Sequence, residues 1–272
     1  MSENQRVALY TVLMGTYERL NELSQIEPGV DAYCFTNRAD LVSETWKVIQ
    51  VAPKFSKDLV RSQRLLKIQG HPVLNGHSVW LYKDNSVTLS GSAQELTNRL
   101  LGDSDLGMPL HSFRNSIHEE FEAVLHLSLD KPKTLFKQLI HYSSHAPKLL
   151  ESKPLWTALI ARRNTSEVEA WAAEWASHVS AFSRRDQLSV RFAQNATDVH
   201  INEIELDNFK SQFHTWPENL GRAPRKPHWA PSLPLRHPAV ADLRQRVSAA
   251  KEPLLKRIPA AIKRRLRPGS KN

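Results

Sequence analysis

The carboxylate of Asp84 is the first candidate for chemistry in this sequence. It follows a short apolar run and is itself followed by Asn85 and Ser86. Oxygen ligands at the end of a buried strand can hold a divalent cation against a diphosphate. The same three residue types are also common in simple turns, so a metal site and a turn are both open at this point.

Three cations precede this segment at a spacing that would place them on one side of a helix. They are Arg61, Arg64 and Lys67. An arginine can bind two oxygens of a phosphate at once, so this helix face suits an anionic diphosphate. The alternative is a solvated helix face with no ligand.

A third segment combines a histidine, an arginine and two adjacent carboxylates. His111 and Arg114 precede Glu119 and Glu120. Because neighbours on a helix point about 100° apart, we expect at least one of the two carboxylates to be a surface residue.

Residues 183–189 form a fourth polar segment, which reads Ser-Arg-Arg-Asp-Gln-Leu-Ser. Ser183 and Asp186 have the spacing of a helix start signal, which would explain both without a ligand. That interpretation does not require Arg185 or Gln187, so a binding role for this segment stays open.

Other motifs give little support for a metalloenzyme or a common nucleotide enzyme. His141 and His145 stand four residues apart, a spacing that can ligate zinc, but no third ligand is evident. The sequence has no GxSxG, GxGxxG or P-loop motif, which disfavours serine hydrolases, dinucleotide enzymes and P-loop kinases.

Strand-like and helix-like stretches alternate along the chain and must position these side chains. The pattern predicts strands at residues 6–14, 33–36, 45–51, 78–82 and 155–161. Apolar residues at helical spacing predict helices at residues 57–69, 92–101, 113–127 and 165–182. This alternation predicts an α/β fold with a central sheet, and such sheets bind ligands at the carboxyl ends of their strands.

The composition is typical of a globular protein. Of the 272 residues, 40% are hydrophobic and 24% are charged, and the single cysteine, Cys34, cannot form an internal disulfide. The longest apolar run is too short to cross a membrane, and no secretory signal is evident. We therefore expect a cytoplasmic protein.

The net charge of +9 is concentrated near the C-terminus. Residues 222–272 hold 14 of the 37 Lys and Arg residues against two acids, whereas residues 1–221 carry 23 basic and 26 acidic groups. We expect a folded domain at 1–221 and a proline-rich, basic extension at 222–272, and the acidic body disfavours nucleic acid as a partner. Residues 251–267 interleave apolar residues with cations, which predicts either a disordered tail or an amphipathic helix on the anionic inner face of the plasma membrane.

Five segments, taken in order, resemble a glycosyltransferase-like family whose plant members act in mucilage pectin and turgor control. They are residues 10–17, 31–37, 64–71, 111–120 and 183–189. The last of them is similar to the family's Ser-Arg-Asp-Gln-Leu-Ser signature. Asp84 matches the family's acid after the fourth strand, while Lys83 and Gly70 stand where relatives have a short apolar residue and a proline. The resemblance covers roughly residues 7–216.

The resemblance implies a GT-A-like fold, a Rossmann-type sheet flanked by helices that binds a nucleotide sugar. The ends of the first two strands would hold the nucleoside, and the basic helix would neutralise the diphosphate. The residues implied to bind substrate are Thr11, Gly15, Tyr17, Asn37, Arg61, Arg64, Lys67, Asn85, His111, Arg114, Glu119 and Arg185.

The resemblance also implies a metal and a catalytic pair. Asp84 and His214 are implied as ligands of Mn²⁺ or Mg²⁺, which would bridge both phosphates and stabilise the leaving nucleoside diphosphate. Asp186 and Gln187 would face the sugar and the acceptor, with Asp186 as a base or a sugar-orienting carboxylate.

The expected function is sugar transfer from a nucleotide-sugar donor to a glycan or lipid-linked acceptor, in the synthesis of surface polysaccharide or glycoconjugates. Two other functions stay open. One is a non-catalytic protein that binds a nucleotide sugar or a glycan. The other is a lipid-modifying hydrolase, since a plant relative has been associated with ceramide cleavage, although no zinc or serine hydrolase set is recognisable here.

Overall fold

The computed structural model describes residues 6–221 and 237–250 as alternating strands and helices. The strands are β1 (Val7–Leu13), β2 (Val30–Thr36), β3 (Lys47–Gln50), β4 (Val79–Lys83), β5 (Thr88–Leu89), β6 (Leu106–Pro109), β7 (Leu159–Arg163), β8 (Asn202–Ile204) and β9 (His214–Thr215). The helices are α1 (Leu59–Gln69), α2 (Ala93–Leu101), α3 (Ile117–His126), α4 (Pro132–His145), α5 (Ser166–Ala181), α6 (Val190–Thr197) and α7 (Pro238–Ala250).

The central sheet has seven strands in the order β3-β2-β1-β4-β7-β6-β8. β1 pairs in parallel with β2 and β4, β2 pairs in parallel with β3, and β6 pairs in parallel with β8. β7 runs antiparallel to both of its neighbours, and a separate two-stranded sheet joins β5 to β9. This mostly parallel sheet flanked by helices confirms the predicted α/β architecture and is Rossmann-like.

Some element boundaries differ from the predicted ones. The helix predicted at 113–127 starts later, because the Ser116 side chain caps it by accepting a hydrogen bond from the Glu119 amide at 3.2 Å. The strand predicted at 155–161 also starts later, at Leu159, since pairing with β4 begins there. The sequence interpretation missed α4, α7 and the short strands β5, β6, β8 and β9.

Helices cover both faces of the sheet. One face packs on α1, α5 and α6, with Tyr10, Tyr82 and Trp171 among the buried residues. The other face packs on α2 and on Trp46 and Trp156. Because side chains alternate along each strand, consecutive residues of β1 and β4 belong to opposite faces, and this decides which of them can join α1.

Helices α3, α4 and α7 form a further apolar cluster with part of α6. Val240 of α7 is completely buried in it, so at least part of the chain beyond residue 221, the predicted boundary, packs on the folded body. The predicted amphipathic segment at 251–267 lies outside the described residues. Among the described helices, none has the length and apolar character needed to cross a bilayer.

The C-terminal end of α1 is fixed by buried polar contacts to the sheet. The Tyr10 hydroxyl donates to the Lys67 carbonyl at 2.6 Å, and Arg162 donates to the Ile68 carbonyl and, at 2.9 Å, to the Tyr10 hydroxyl. The helix then ends at Gly70, whose φ of 75° is unfavourable for other residues and closed to proline.

We expect Gly70→Ala to lower the free energy of unfolding by about 3 kcal/mol. Alanine at this position would be forced into an unfavourable positive φ, and its Cβ would crowd the core. That Cβ would lie 2.7 Å from a ring carbon of Trp80 and 3.1 Å from an Arg162 nitrogen. The measurement is urea unfolding. Gly76→Ala is the control, since nothing lies within 4 Å of its Cβ position; an equal loss in both variants would contradict this view of the helix end.

Candidate active site

Two cations of α1, the buried Lys67 and the partly buried Arg64, lie between two carboxylates at the carboxyl end of β4. Lys67 Nζ is 2.6 Å from Asp186 Oδ2 and 3.5 Å from Asp84 Oδ1. Arg64 Nε is 3.2 Å from Asp186 Oδ1, and its Nη1 is 3.7 Å from Asp84 Oδ1. The structure therefore brings together four of the predicted site residues, at the edge where α/β sheets bind ligands. We call these four residues the ion cluster.

Asp84 is oriented by a ring of hydrogen bonds. The Tyr82 hydroxyl donates to Asp84 Oδ1 at 2.6 Å and accepts from Gln63 Nε2 at 3.1 Å. Gln63 Oε1 accepts in turn from Arg64 Nη1 at 2.5 Å. These contacts engage Oδ1, while Asp84 Oδ2 has no hydrogen bond to any residue in the described part of the chain.

The backbone around Asp186 is anchored to the core. Trp175 of the tryptophan-rich helix α5 donates from its indole nitrogen to the Asp186 carbonyl at 3.0 Å. Asp130 accepts from the Ser183 hydroxyl at 2.7 Å and from the Arg184 amide at 3.0 Å. Ser183 therefore does not cap a helix. The Asp186 side chain points instead to the ion cluster, where it also accepts from Thr157 at 3.3 Å.

Charge pairing outweighs burial in setting the protonation of this cluster. Burial alone would raise the pKa of Asp186, but Arg64 and Lys67 hold it far below its usual range. Burial likewise opposes ionisation of Asp84, and again Lys67 and Arg64 lower its pKa. Both carboxylates therefore stay ionised at neutral pH.

Arg185 places one more cation beside the cluster. Its Nε is buried without a hydrogen bond, and no ion pair joins its guanidinium to any residue that the structure describes. Burial, followed by the nearby Arg64 charge, lowers the pKa of Arg185, while Glu120, Asp186 and Asp84 oppose that shift. A guanidinium in this position is available for an anionic ligand.

A third carboxylate, that of Glu120, lies against the same segment. The Gln187 side chain lies against this carboxylate, and Glu120 Oε2 is 3.6 Å from Arg114 Nε. Arg114 also stacks on Phe113, 5.0 Å from the ring centroid. The structure thus brings Arg114, Arg185 and Gln187 together around Glu120, which in turn interacts electrostatically with Asp186 of the ion cluster.

The neighbouring Glu119, predicted to bind substrate, has a structural contact instead. Its Oε2 accepts from the Asn115 amide at 2.7 Å, and with Ser116 it forms the N-terminal cap of α3. The two carboxylates diverge as the helical spacing predicts, and Glu120 is the one that faces the site.

Arg61 is not brought to the ion cluster. Its Nε is 3.2 Å from Asp58 Oδ2, and its guanidinium donates to the carbonyls of Val179 and Phe182 at the end of α5. The predicted row of three cations on α1 therefore divides: Arg61 joins two helices, and the other two cations enter the site.

Asn85, a predicted residue that follows β4, also has structural contacts. Asn85 accepts from the Asn21 amide at 2.9 Å and donates to the Arg19 carbonyl at 2.8 Å, which ties the turn after Asp84 to the loop after β1. The turn interpretation of this segment is correct, since the Val87 amide donates to the Asp84 carbonyl at 2.9 Å.

Thr11 and His111 lie outside the ion cluster. Thr11 is buried in β1, between Tyr10 and Val12, which pack toward α1, so its side chain points to the opposite face. His111 is buried against Phe113, and burial together with Arg114 lowers its pKa to about 3, which leaves the ring neutral at pH 7.

The remaining nucleoside-binding candidates lie at the carboxyl edge of the sheet. Gly15 donates to Asn37 Oδ1 at 2.8 Å, which joins the turns after β1 and β2. Tyr17 is 48% exposed and interacts electrostatically with Arg64. Beside them is a cleft of about 440 Å³ between α1 and the ends of β1 and β3, whose lining includes Met14, Gln50, Val51, Leu66 and His71.

His214 and Lys83 both lie on the far face of the sheet from α1. The His214 ring packs on Trp156, and its nitrogens contact the Ser211 hydroxyl at 2.8 Å and the Asn208 carbonyl at 3.2 Å. The structure does not bring it to Asp84. Lys83 donates to the Val87 carbonyl at 2.9 Å and stacks on Trp46, so its ammonium points away from the Asp84 carboxylate.

Asp84 is suited to bind a divalent cation that takes its other ligands from a bound diphosphate. Within the described ranges, no group of three or more histidine, cysteine, aspartate or glutamate side chains is arranged to hold a metal by itself. Mg²⁺ commonly binds through one or two carboxylates and substrate phosphates, and Asp84 Oδ2 is an oxygen suited to that arrangement.

His141 and His145, the pair with zinc-ligand spacing, stack ring to ring on α4, with 4.2 Å between the ring centroids.

Sequence reasoning missed four residues of the site, and for two of them a signal was present. Tyr82 stands two residues before Asp84 on a strand, which predicts a shared face. Glu120 follows Ile117 by three residues, which predicts the buried side of α3. Gln63 and Thr157 carry no comparable signal, because their contacts depend on tertiary packing.

Comparisons of the chain with known protein families and with curated proteins return no match. The family resemblance therefore rests on the five sequence segments and stays a prediction.

We expect Asp186→Asn to lower the free energy of unfolding by about 3 kcal/mol at pH 7, because it leaves Lys67 and Arg64 buried with unbalanced charge. The folded-state pKa of Asp186 is lowered, so its stabilisation is present above the unfolded pKa of about 3.9 and is lost as the pH falls below it. The difference from wild type should therefore shrink by about 1.4 kcal/mol per pH unit below pH 4.

Urea unfolding between pH 3 and pH 7 measures this difference. Asp198→Asn is the control, because Asp198 is exposed and forms no ion pair with any described residue. A constant difference across this pH range, or an equal effect of both substitutions, would contradict the pairing of Asp186.

Proposed function

We propose that the protein is a GT-A-like glycosyltransferase that moves a sugar from a nucleotide-sugar donor to a glycan or lipid-linked acceptor. The observation that carries the proposal is the ion cluster with Arg185, which forms no ion pair with a described residue, beside it at the carboxyl edge of a Rossmann-like sheet. Arginines held in place by buried carboxylates provide fixed donors for a diphosphate.

The charges of the site favour a divalent cation together with the diphosphate. Four cations, Arg64, Lys67, Arg114 and Arg185, face three carboxylates, Asp84, Asp186 and Glu120. One excess positive charge does not neutralise a diphosphate, so a divalent ion would restore the balance. When bound at Asp84, Mn²⁺ or Mg²⁺ would supply positive charge at the leaving phosphate.

The donor would extend along the carboxyl edge of the sheet. The cleft reaches the end of β3, and Asp84 follows β4, three strands away in the order β3-β2-β1-β4. At about 4.8 Å per strand this is roughly 14 Å, enough for an extended nucleoside diphosphate. Tyr17 and Asn37 lie at the edge between these two ends, where they would contact the nucleoside or the first phosphate.

The protein residues would then divide the remaining work. Arg64 and Arg185 bind phosphate oxygens, Tyr82 keeps Asp84 Oδ2 directed outward, and Asp186 keeps a negative charge near the anomeric carbon. That charge stabilises the positive charge that develops on the sugar as its bond to phosphate breaks.

We expect calorimetric titration to show that UDP or GDP binds more tightly with MnCl₂ than without it. Asp84→Asn should remove at least about tenfold of that affinity gain, because it removes the only carboxylate assigned to the cation. Asp198→Asn should behave as wild type. Binding that is equal with and without Mn²⁺ would favour the non-catalytic alternative, and no binding of either nucleotide would contradict the proposal.

The acceptor side of the proposal includes an anionic membrane surface. Residues 251–272, outside the described residues, hold eight Lys and Arg residues and one acid, Glu252. At about 1 kcal/mol per cation near anionic lipid, this segment would retain the protein on a membrane. We expect the full chain, but not a chain ending at Ala250, to co-sediment with phosphatidylserine-containing vesicles at low salt. Equal sedimentation of the two chains would contradict this role.

A further inference from the structure

We infer that Glu120, rather than Asp186, accepts the proton of the incoming hydroxyl group. This inference rests on the proposed function and assigns the proton acceptor of the same site.

Each oxygen of the Asp186 carboxylate lies against a cation. Its Oδ1 is 3.2 Å from Arg64 Nε, and its Oδ2 is 2.6 Å from Lys67 Nζ. Burial opposes the charge of Asp186, yet these two cations hold its pKa far below the usual range. A carboxylate that keeps its charge under all physiological conditions can stabilise a cationic sugar, but it is a poor proton acceptor.

The environment of Glu120 raises its pKa, whereas that of Asp186 lowers its pKa. Arg114 Nε lies 3.6 Å from Glu120 Oε2, an ion-pair distance longer than a hydrogen bond, and the carboxylate is buried. Burial raises the pKa of Glu120 above its ordinary value, and Arg185 and Arg114 only partly oppose this. Two carboxylates whose environments move their pKa values apart are a recurrent arrangement of acid–base sites.

The groups around Glu120 connect it to the donor site. Arg114 faces it from the segment before α3, and Arg185, Asp186 and Gln187 face it from residues 183–189. The Gln187 side chain interacts with Glu120, and Gln187 is the direct neighbour of Asp186, so both carboxylates lie against the same short turn. A hydroxyl group entering beside Gln187 would meet a proton acceptor on one side and the donor sugar on the other.

The step is a single displacement in which atoms and charges balance. The acceptor oxygen forms a bond to the anomeric carbon, and the bond from that carbon to the phosphate oxygen breaks. The electron pair of the broken bond leaves with the nucleoside diphosphate. The hydroxyl proton passes to the Glu120 carboxylate and is later released to water.

The test compares Glu120→Gln with wild type in two measurements. Calorimetric titration with UDP and GDP in MnCl₂ measures binding, and we expect dissociation constants within about threefold of wild type. Hydrolysis of UDP-glucose, UDP-N-acetylglucosamine and GDP-mannose measures turnover with water as the acceptor. We expect it to fall at least about 100-fold, in the range of general base catalysis, and to lose the rise in rate with pH that we expect of wild type.

Glu122→Gln is the matched control, because Glu122 is a buried glutamate two residues further along α3. It should turn over as wild type does. Nucleotide binding with equal turnover in both variants would overturn the assignment of Glu120 alone, whereas no nucleotide binding by wild type would overturn the proposed function.

A carboxyl titration followed by ¹³C NMR tests the assignment without turnover. The resonance that Glu120→Gln removes should titrate above the ordinary glutamate value, and titration at or below that value would overturn the inference. If Glu120→Gln does not fold, Glu120→Asp replaces it and should retain a shifted pH profile with reduced turnover.

Discussion

Lys67 contacts two carboxylates from a completely buried position, and the geometry of the site depends on it. Its ammonium lies 2.6 Å from Asp186 and 3.5 Å from Asp84, which come from separate elements of the fold. A buried cation with one carboxylate would leave a strong electrostatic imbalance in a poorly polarisable interior. The close approach of β4, α1 and residues 183–189 is therefore an electrostatic requirement as well as a result of apolar packing.

The surrounding fold supplies the rigidity that this pairing needs. Tyr10 and Arg162 fix the end of α1 by hydrogen bonds to its last carbonyls, and Trp175 fixes the Asp186 carbonyl. Charged groups held in this way change position little when a ligand binds, so they stabilise charge without first reorganising. The same anchoring explains why the tryptophan-rich helix lies next to the polar segment that follows it.

The sequence was informative where a side chain's neighbours are set by local periodicity. The alternation of elements predicted the α/β sheet, and the ion cluster joins four residues that were predicted from three separate segments. The sequence was less informative for side chains whose partners come from other elements of the fold. Arg61 and Glu119 carry the same charges as their neighbours, but one is used to join α1 to α5 and the other to cap α3. Local patterns also do not specify that β7 runs antiparallel, since strand direction depends on long-range pairing.

The turn that carries Asp84 is held from two directions. Asn85 binds the loop after β1, and Ser86 contacts Trp216 at 3.2 Å and the Glu218 amide at 2.9 Å. The backbone around Asp84 is therefore already ordered before a ligand binds. Ligand binding at Asp84 does not carry the entropy cost of ordering a loop. Any adjustment of shape on binding would then fall on exposed side chains such as Tyr17, which is 48% exposed and interacts electrostatically with Arg64.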